Sequence, residues 1–264
     1  MNDFNNIRSD SGDRDFESMA IIGARGMGKS TLMRCLGDSY MKENPELRIL
    51  VHDSSESKAF GSAYRWFEIT MDELLVGWEF EGSTTQKYVW RKGKRKIYTL
   101  KDWGYESPKE LQERLFKEAV YAKKGLKPPA KGGKRAASLE ELTAKYLFSN
   151  FRNGMLLLDE AYEWAGFSPP RWADALILKH RNHGLDIVLV YHAFTFVPKR
   201  WRTHFNKFVV FKSGDSGVDS PKYFKKLGFL GTEQLYEAYR KVNEMPYQSD
   251  KIIQPFKIVD LTVR

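Results

Sequence analysis

Short, nearly continuous apolar runs recur along the chain, and longer segments with helical spacing separate most of them. Such runs are typical of strands buried on both faces of a sheet. The strands that we predict from them cover residues 17–22, 47–53, 155–158, 186–192 and 207–211. A further edge strand is expected at residues 256–261.

Helices are expected to connect most of these strands. Their predicted ranges are 29–40, 107–124, 138–151, 170–183, 220–227 and 232–243. Strands that alternate with helices indicate an α/β fold with a mostly parallel sheet flanked by helices. The polar segment 1–15 is expected to be a flexible tail, and residues 16–264 are expected to form one domain.

Residues 78–140 break the alternating pattern, and we interpret them as an insertion. Its first part is predicted to be a β-hairpin, with strands at 87–90 and 97–100 on either side of a basic turn. The predicted helices 107–124 and 138–151 follow, and a basic Pro/Gly loop at 125–135 joins them.

Composition narrows the class of protein. The formal net charge is +9, from 43 Lys and Arg against 34 Asp and Glu, which favours a polyanionic partner. Cys35 is the single cysteine, so no disulfide can form within the chain and a reducing compartment is expected. No stretch approaches about 18 consecutive apolar residues, so we expect no transmembrane segment.

The first predicted strand leads into the pattern G-x-x-x-x-G-K-S, which is a complete P-loop. Its glycines let the backbone turn so that N–H groups point at phosphate oxygens, and the helix that follows adds its positive end. Lys29 is expected to contact the β- and γ-phosphates of ATP, and the Ser30 hydroxyl is expected to bind Mg²⁺. The nucleotide-binding residues are predicted to be Gly23, Ala24, Arg25, Gly26, Met27, Gly28, Lys29, Ser30 and Thr31.

Two carboxylates follow the third apolar strand, and this pattern resembles a Walker B motif. In that motif the first carboxylate, here Asp159, holds Mg²⁺, and the second, here Glu160, polarises the water that attacks the γ-phosphate. A carboxylate pair of this kind favours an ATP hydrolase over a nucleotide kinase. A GTPase would carry Asn-Lys-x-Asp, which does not occur in this sequence.

The segment from Leu178 to His192 continues the resemblance. A helix, an arginine, a glycine and an apolar strand with a polar tip resemble the segment after Walker B in the HerA/FtsK superfamily of DNA-pumping ATPases. The resemblance covers residues 17–53 and 153–212 and implies a RecA/FtsK-like fold. It also implies that His192 is a sensor near the γ-phosphate, where the family usually has Gln or Asn.

Ring ATPases of this superfamily supply an arginine from a neighbouring subunit to the γ-phosphate. By that resemblance we expect Arg181 in this role, with Arg171, Arg200 and Arg202 as alternatives. DNA is expected to bind the basic part of the insertion, because its cationic side chains can neutralise phosphates. The residues predicted to contact DNA include Lys92, Lys94, Arg95 and Lys96.

The resemblance is strongest to the small ATPases that package viral genomes. It implies an ATP-hydrolysing DNA translocase that forms a ring, expected to be a hexamer, and that docks on capsid or vertex proteins. Such a protein would act in the host cytoplasm and could accompany the virion.

Two other functions are compatible with the same motifs. One is an assembly or secretion ATPase of the zonula-occludens-toxin type found in filamentous phages, in which the membrane anchor would be absent or would lie on another protein. The other is a nucleotide-dependent switch that performs no mechanical work. The Asp159-Glu160 pair favours hydrolysis over the switch.

Overall fold

The computed structural model describes most of the chain outside the middle region. The residues it describes are 16–45, 48–53, 59–60, 65–66, 87–91, 151, 153–162, 166, 169 and 171–262. The predicted tail and most of the predicted insertion therefore lie outside the described residues. The same holds for the predicted helices 107–124 and 138–150.

The strands are β1 (Ser18–Ile22), β2 (Arg48–Asp53), β3 (Arg65–Trp66), β4 (Lys87–Arg91), β5 (Gly154–Leu158), β6 (Leu185–Tyr191), β7 (Lys207–Phe211) and β8 (Phe256–Asp260). The α-helices are α1 (Lys29–Glu43), α2 (Arg171–Lys179), α3 (Pro221–Leu227) and α4 (Thr232–Glu244). Short 3-10 turns lie at Arg181–His183 and Phe194–Phe196. The strands predicted from apolar runs and the edge strand are all present, with ends that differ from the prediction by at most one residue.

These strands form one sheet in the order β3-β4-β2-β5-β6-β1-β7-β8. All pairs are parallel except β7 with β8. The predicted mostly parallel α/β fold is therefore confirmed. Strand β6 lies between β1 and β5, so the residues that follow these three strands are brought side by side.

The predicted hairpin differs from the structure in its pairing. Residues 87–91 do form a strand, but β4 runs parallel to β2 on one side and to β3 on the other. The positions next to Tyr88 and Val89 are therefore already occupied by parallel neighbours. The second predicted strand, 97–100, lies outside the described residues.

Apolar side chains cover both faces of the sheet. Successive residues of β1 alternate between them: Ala20 and Ile22 belong to one cluster of buried side chains, and Met19 and Ile21 to the other. Helix α1 packs on the Ile21 face, and helices α2 and α4 contribute to the Ile22 face. Because both faces of the sheet are covered, the side chains on either side of these parallel strands are buried, which explains their near-continuous apolar sequences.

Every helix among the described residues is too short or too polar to cross a bilayer.

Candidate nucleotide-binding and catalytic site

The predicted site residues follow strands that end at the same edge of the sheet. Gly23 follows β1, Asp159 follows β5 and His192 follows β6. These strands are parallel neighbours, so their carboxyl ends open onto one crevice, which is where open α/β sheets bind ligands.

The P-loop turns sharply between β1 and α1. Gly26 and Gly28 have φ values of 78° and 83°, which L residues with side chains rarely adopt. The N–H groups of Gly23 and Ala24 donate to the carbonyls of Tyr191 and Lys212, at 3.1 and 2.8 Å. These two N–H groups anchor the loop to the strand ends. The N–H groups that begin α1 have no carbonyl one turn earlier in the helix, so they can face a phosphate.

Lys29 lies under this loop with only 6% of its surface exposed. Its Nζ donates to the Ala24 carbonyl at 2.8 Å and lies 3.2 Å from Nδ1 of His192. Burial lowers the pKa of Lys29 to about 8, and the negative charges of Asp159 and Glu160 oppose that change. The ammonium group remains mainly protonated at neutral pH, so it can bind a phosphate oxygen.

Ser30 and Asp159 are directly hydrogen-bonded. The Ser30 hydroxyl donates to Oδ2 of Asp159 at 2.7 Å, and the Glu160 N–H donates to Oδ1 at 3.0 Å. Burial raises the pKa of Asp159 to about 6, and the nearby charges of Asp53 and Glu160 act in the same direction. The two hydrogen bonds to its oxygens partly offset that increase.

Asp53 is a site residue that the sequence analysis did not identify. It is fully buried at the end of β2, and the adjacent His52 carbonyl accepts the Asp159 N–H at 2.9 Å. The available signal was its position: a carboxylate directly after an apolar run in a strand that neighbours the Asp159 strand.

Glu160 has a φ of 48°, a left-handed conformation that is uncommon for a residue with a side chain. Its Oε1 lies 3.0 Å from Nε2 of His192. The two side chains are 17% and 26% exposed, so water can reach the pair. Non-glycine residues in this conformation occur often at functional sites, where the surrounding structure holds them in place.

The oxygen atoms at the site fit Mg²⁺ better than a transition metal. Ser30 supplies a hydroxyl that is hydrogen-bonded to the Asp159 carboxylate, and the charge of the buried Asp53 carboxylate raises the pKa of Asp159, an effect that a cation at this position would oppose. Mg²⁺ in nucleotide enzymes is held by one or two protein oxygens together with phosphates and water. Within the described part of the chain, no group of three or more His, Cys, Asp or Glu side chains could hold a metal alone.

The arginine candidates are in different environments. Arg202 is buried and donates to the carbonyls of Val197, Leu227 and Thr195, so its side chain is committed to the interior of its own subunit. As an arginine that could reach a neighbouring subunit, Arg202 is therefore the wrong candidate.

Three other arginines remain as candidates. Arg200 is 77% exposed and pairs with Asp174 at 3.0 Å. Arg181 is exposed just before β6, at the sheet edge opposite the P-loop. Arg171 begins helix α2, and its side chain is outside the described part of the structure. Arg25, a predicted nucleotide-binding residue and not one of these candidates, is exposed within the P-loop.

The residues predicted to contact DNA cannot be located. Lys92, Lys94, Arg95 and Lys96 lie outside the described residues. Contact with DNA through these side chains therefore stays a prediction.

No protein-family profile and no curated protein sequence matches this chain. Solved structures of the genome packaging NTPase B204 from Sulfolobus turreted icosahedral virus 2 are similar to it. The sulfate complex gives a TM-score of 0.53 at 14% identity, covering 94% of this chain and 92% of the other. The AMP complex gives 0.52 at 13% identity, covering 94% of each chain. The complex with ATP-gammaS gives 0.51 at 14% identity, covering 94% and 93%.

These similarities extend over nearly the whole chain at low sequence identity. They confirm the predicted P-loop NTPase fold, and at the level of fold they agree with the resemblance to viral packaging ATPases that the motifs indicated.

Proposed function

We propose that this protein is an ATPase that translocates DNA during the packaging of a viral genome. The observation that carries the proposal is the convergence of Lys29, Ser30, Asp159, Glu160 and His192 in one crevice, linked by hydrogen bonds. This set supplies a phosphate-binding cation, a hydroxyl and a carboxylate for Mg²⁺, and a second carboxylate for water. Similarity to the fold of a genome packaging NTPase supports the direction of the proposal.

In this proposal the triphosphate of ATP lies against the start of helix α1. The backbone N–H groups there and the Lys29 ammonium bind its oxygens, and Ser30 and Asp159 would hold Mg²⁺. When bound, this ion would supply positive charge beside the phosphates. Glu160 orients a water molecule and accepts its proton, while His192 fixes the direction of the Glu160 carboxylate.

The mechanical part of the proposal involves other subunits and DNA. The chain would assemble into a ring, expected to be a hexamer, in which Arg181 of one subunit approaches the γ-phosphate bound by the next. Lys92, Lys94, Arg95 and Lys96 would contact DNA phosphates as the ring moves. We place this activity in the host cytoplasm, with docking on capsid or vertex proteins and association with the virion.

The test is the rate of ATP hydrolysis with and without double-stranded DNA over a series of salt concentrations. We expect stimulation by DNA that weakens as salt rises, because phosphate contacts release counterions. Lys29→Ala and Glu160→Gln should each reduce the rate by roughly 100-fold or more. Lys42→Ala and Glu233→Gln make the same substitutions at two exposed positions. They are the matched controls and should leave the rate unchanged.

Hydrolysis that is indifferent to DNA would contradict translocation and favour the assembly ATPase. Full turnover by Glu160→Gln would contradict the assignment of Glu160 and favour a nucleotide switch.

A further inference from the structure

A cleft of about 460 Å³ lies in the segment that joins helix α4 to strand β8. The connecting segment is defined here as residues 245–256, which includes the first residue of β8. Its lining is mainly apolar and includes the side chains of Met245, Pro246, Ile253, Pro255 and Phe256. The volume falls within the range of small-molecule sites, about 300–1,000 Å³.

The connecting segment packs directly on the P-loop. The Gln254 N–H donates to the Met27 carbonyl at 3.1 Å. A Cβ atom placed on Gly28 would lie 2.3 Å from the Ile252 carbonyl oxygen and 2.8 Å from Cα of Ile253. Glycine at position 28 therefore permits a close approach of the connecting segment to the P-loop that a residue with a Cβ atom would not allow. The segment that lines the cleft is therefore also packed against the P-loop.

The shape of the connecting segment is fixed by Gln254, which is 2% exposed. Its side-chain oxygen accepts the Gln248 N–H at 2.8 Å, and its side-chain nitrogen donates to the carbonyls of Gln248 and Lys251 at 2.7 and 2.8 Å. These contacts close the chain into a compact loop. The walls are thus organised in advance, which lowers the entropic cost of binding.

Gln248 and Lys251 complete the lining, and they provide most of the side-chain groups that could hydrogen-bond a ligand in the cleft. Gln254 also lines it, but its side-chain amide is engaged within the loop. A flat apolar ligand with a polar edge fits such a lining. The amide of Gln248 carries the donor and acceptor pair that matches the N6 and N7 edge of adenine.

We propose that this cleft binds the adenine base of the nucleotide whose phosphates lie on the P-loop. The argument rests on the packing of the connecting segment against Gly28, the preformed loop and the mainly apolar lining that includes Gln248. The proposal depends on the proposed function, because it requires that the P-loop binds ATP. It adds that the 245–256 segment contributes to affinity through the base, and that this contribution is separate from phosphate binding.

The test compares two ligands on the full chain in the presence of Mg²⁺: ATP and inorganic tripolyphosphate, which has no base. Gln248→Trp should fill the cleft and weaken ATP binding by about tenfold or more, because the base loses its apolar contacts. Binding of tripolyphosphate should stay within about twofold, since no phosphate contact changes. The control is Tyr247→Trp, which adds the same side chain at a neighbouring, 61% exposed position that does not line the cleft.

The outcomes separate the two proposals. Equal weakening of both ligands, or of neither, by Gln248→Trp would overturn the base site. If the wild type binds neither ligand, or if Lys29→Ala binds both as well as the wild type does, the proposed function fails instead. Unchanged binding of tripolyphosphate also reports that the P-loop of the variant is folded.

A second measurement uses the wild-type chain, so it does not depend on how the variant folds. Photolabelling with 8-azido-ATP should attach the base to residues within 245–256, and excess tripolyphosphate should prevent it. Labelling that maps only to other residues would overturn the proposal.

Discussion

The Nε2 atom of His192 lies 3.0 Å from Oε1 of Glu160, and the opposite ring nitrogen lies 3.2 Å from Nζ of Lys29. A lysine ammonium can only donate and an ionised carboxylate can only accept. The neutral His192 tautomer with its proton on Nε2 satisfies both partners. The proposed phosphate-binding lysine and the proposed catalytic carboxylate are therefore linked through one imidazole.

We expect His192→Ala to lower kcat by roughly 100-fold, because the Glu160 carboxylate would lose the contact that orients it. The KM for ATP should change much less, since the phosphate contacts of the P-loop remain. His192→Gln should recover most of the rate, because an amide can accept from Lys29 and donate to Glu160. Steady-state hydrolysis measures all three proteins. His204→Ala, which removes an exposed histidine, is the control, and equal losses for Ala and Gln at position 192 would contradict the orienting role.

Asp159 should make the stability of the metal-free protein depend on pH. Burial raises its pKa from 3.8 to about 6, so the folded protein binds this proton more tightly than the unfolded chain does. The resulting decrease in the free energy of unfolding is absent below about pH 4, grows as pH rises and is complete above about pH 6. In EDTA, Asp159→Asn should therefore raise the free energy of unfolding at pH 8 by up to about 3 kcal/mol and by little at pH 4.

Urea denaturation at the two pH values measures this difference. Asp250→Asn, at an exposed position, should show no such pH dependence. Added Mg²⁺ should stabilise the wild type more than Asp159→Asn. A variant that is less stable than the wild type at pH 8 in EDTA would contradict the electrostatic cost.

Most of the sheet could be predicted because its strands are continuous apolar runs, and burial on both faces leaves few other structures for them. Asp159 and His192 could be grouped with the P-loop because each follows such a run, and the carboxyl ends of parallel strands share an edge. Periodicity and local chemistry are sufficient for these features.

The remaining features depend on contacts between distant parts of the chain. Strand β4 lies between β2 and β3 and is parallel to both. The basic and aromatic residues of β4 do not specify which strands it pairs with. The interior role of Arg202 depends on three carbonyls that only the folded chain brings within reach. The contact between Gly28 and Ile252 joins positions at opposite ends of the sequence.

Substitutions at Gly28 and Gly26 can distinguish the cost of a steric clash from the cost of a strained backbone conformation. Both have positive φ, but a Cβ on Gly26 would meet no atom within 4 Å, whereas one on Gly28 would collide with the backbone at Ile252. Gly26→Ala should therefore reduce the free energy of unfolding by only about 1–2 kcal/mol. Gly28→Ala should cost clearly more, because the connecting segment must move. Thermal and urea denaturation measure both variants, and equal losses would contradict close packing at Gly28.

Arg181 and Arg202 should respond to substitution in opposite ways. Arg202→Ala should reduce the free energy of unfolding by about 2–4 kcal/mol, because the carbonyls of Val197, Leu227 and Thr195 lose the donor that this buried side chain supplies. Arg181→Ala should leave stability unchanged, since the side chain is exposed. If Arg181 acts on the nucleotide of a neighbouring subunit, its loss should lower kcat by about 1,000-fold.

Mixing Arg181→Ala with Glu160→Gln tests whether the arginine acts between subunits. Each variant alone should be inactive. In a mixed ring, an Arg181→Ala subunit keeps Glu160 and can receive Arg181 from a Glu160→Gln neighbour, so one intact composite site forms at that interface. Hydrolysis should therefore reappear when the two inactive proteins are combined, with a maximum near equal amounts. If Arg181→Ala is inactive and mixing restores nothing, Arg181 acts within its own subunit or through folding, and the interface arginine is a different residue.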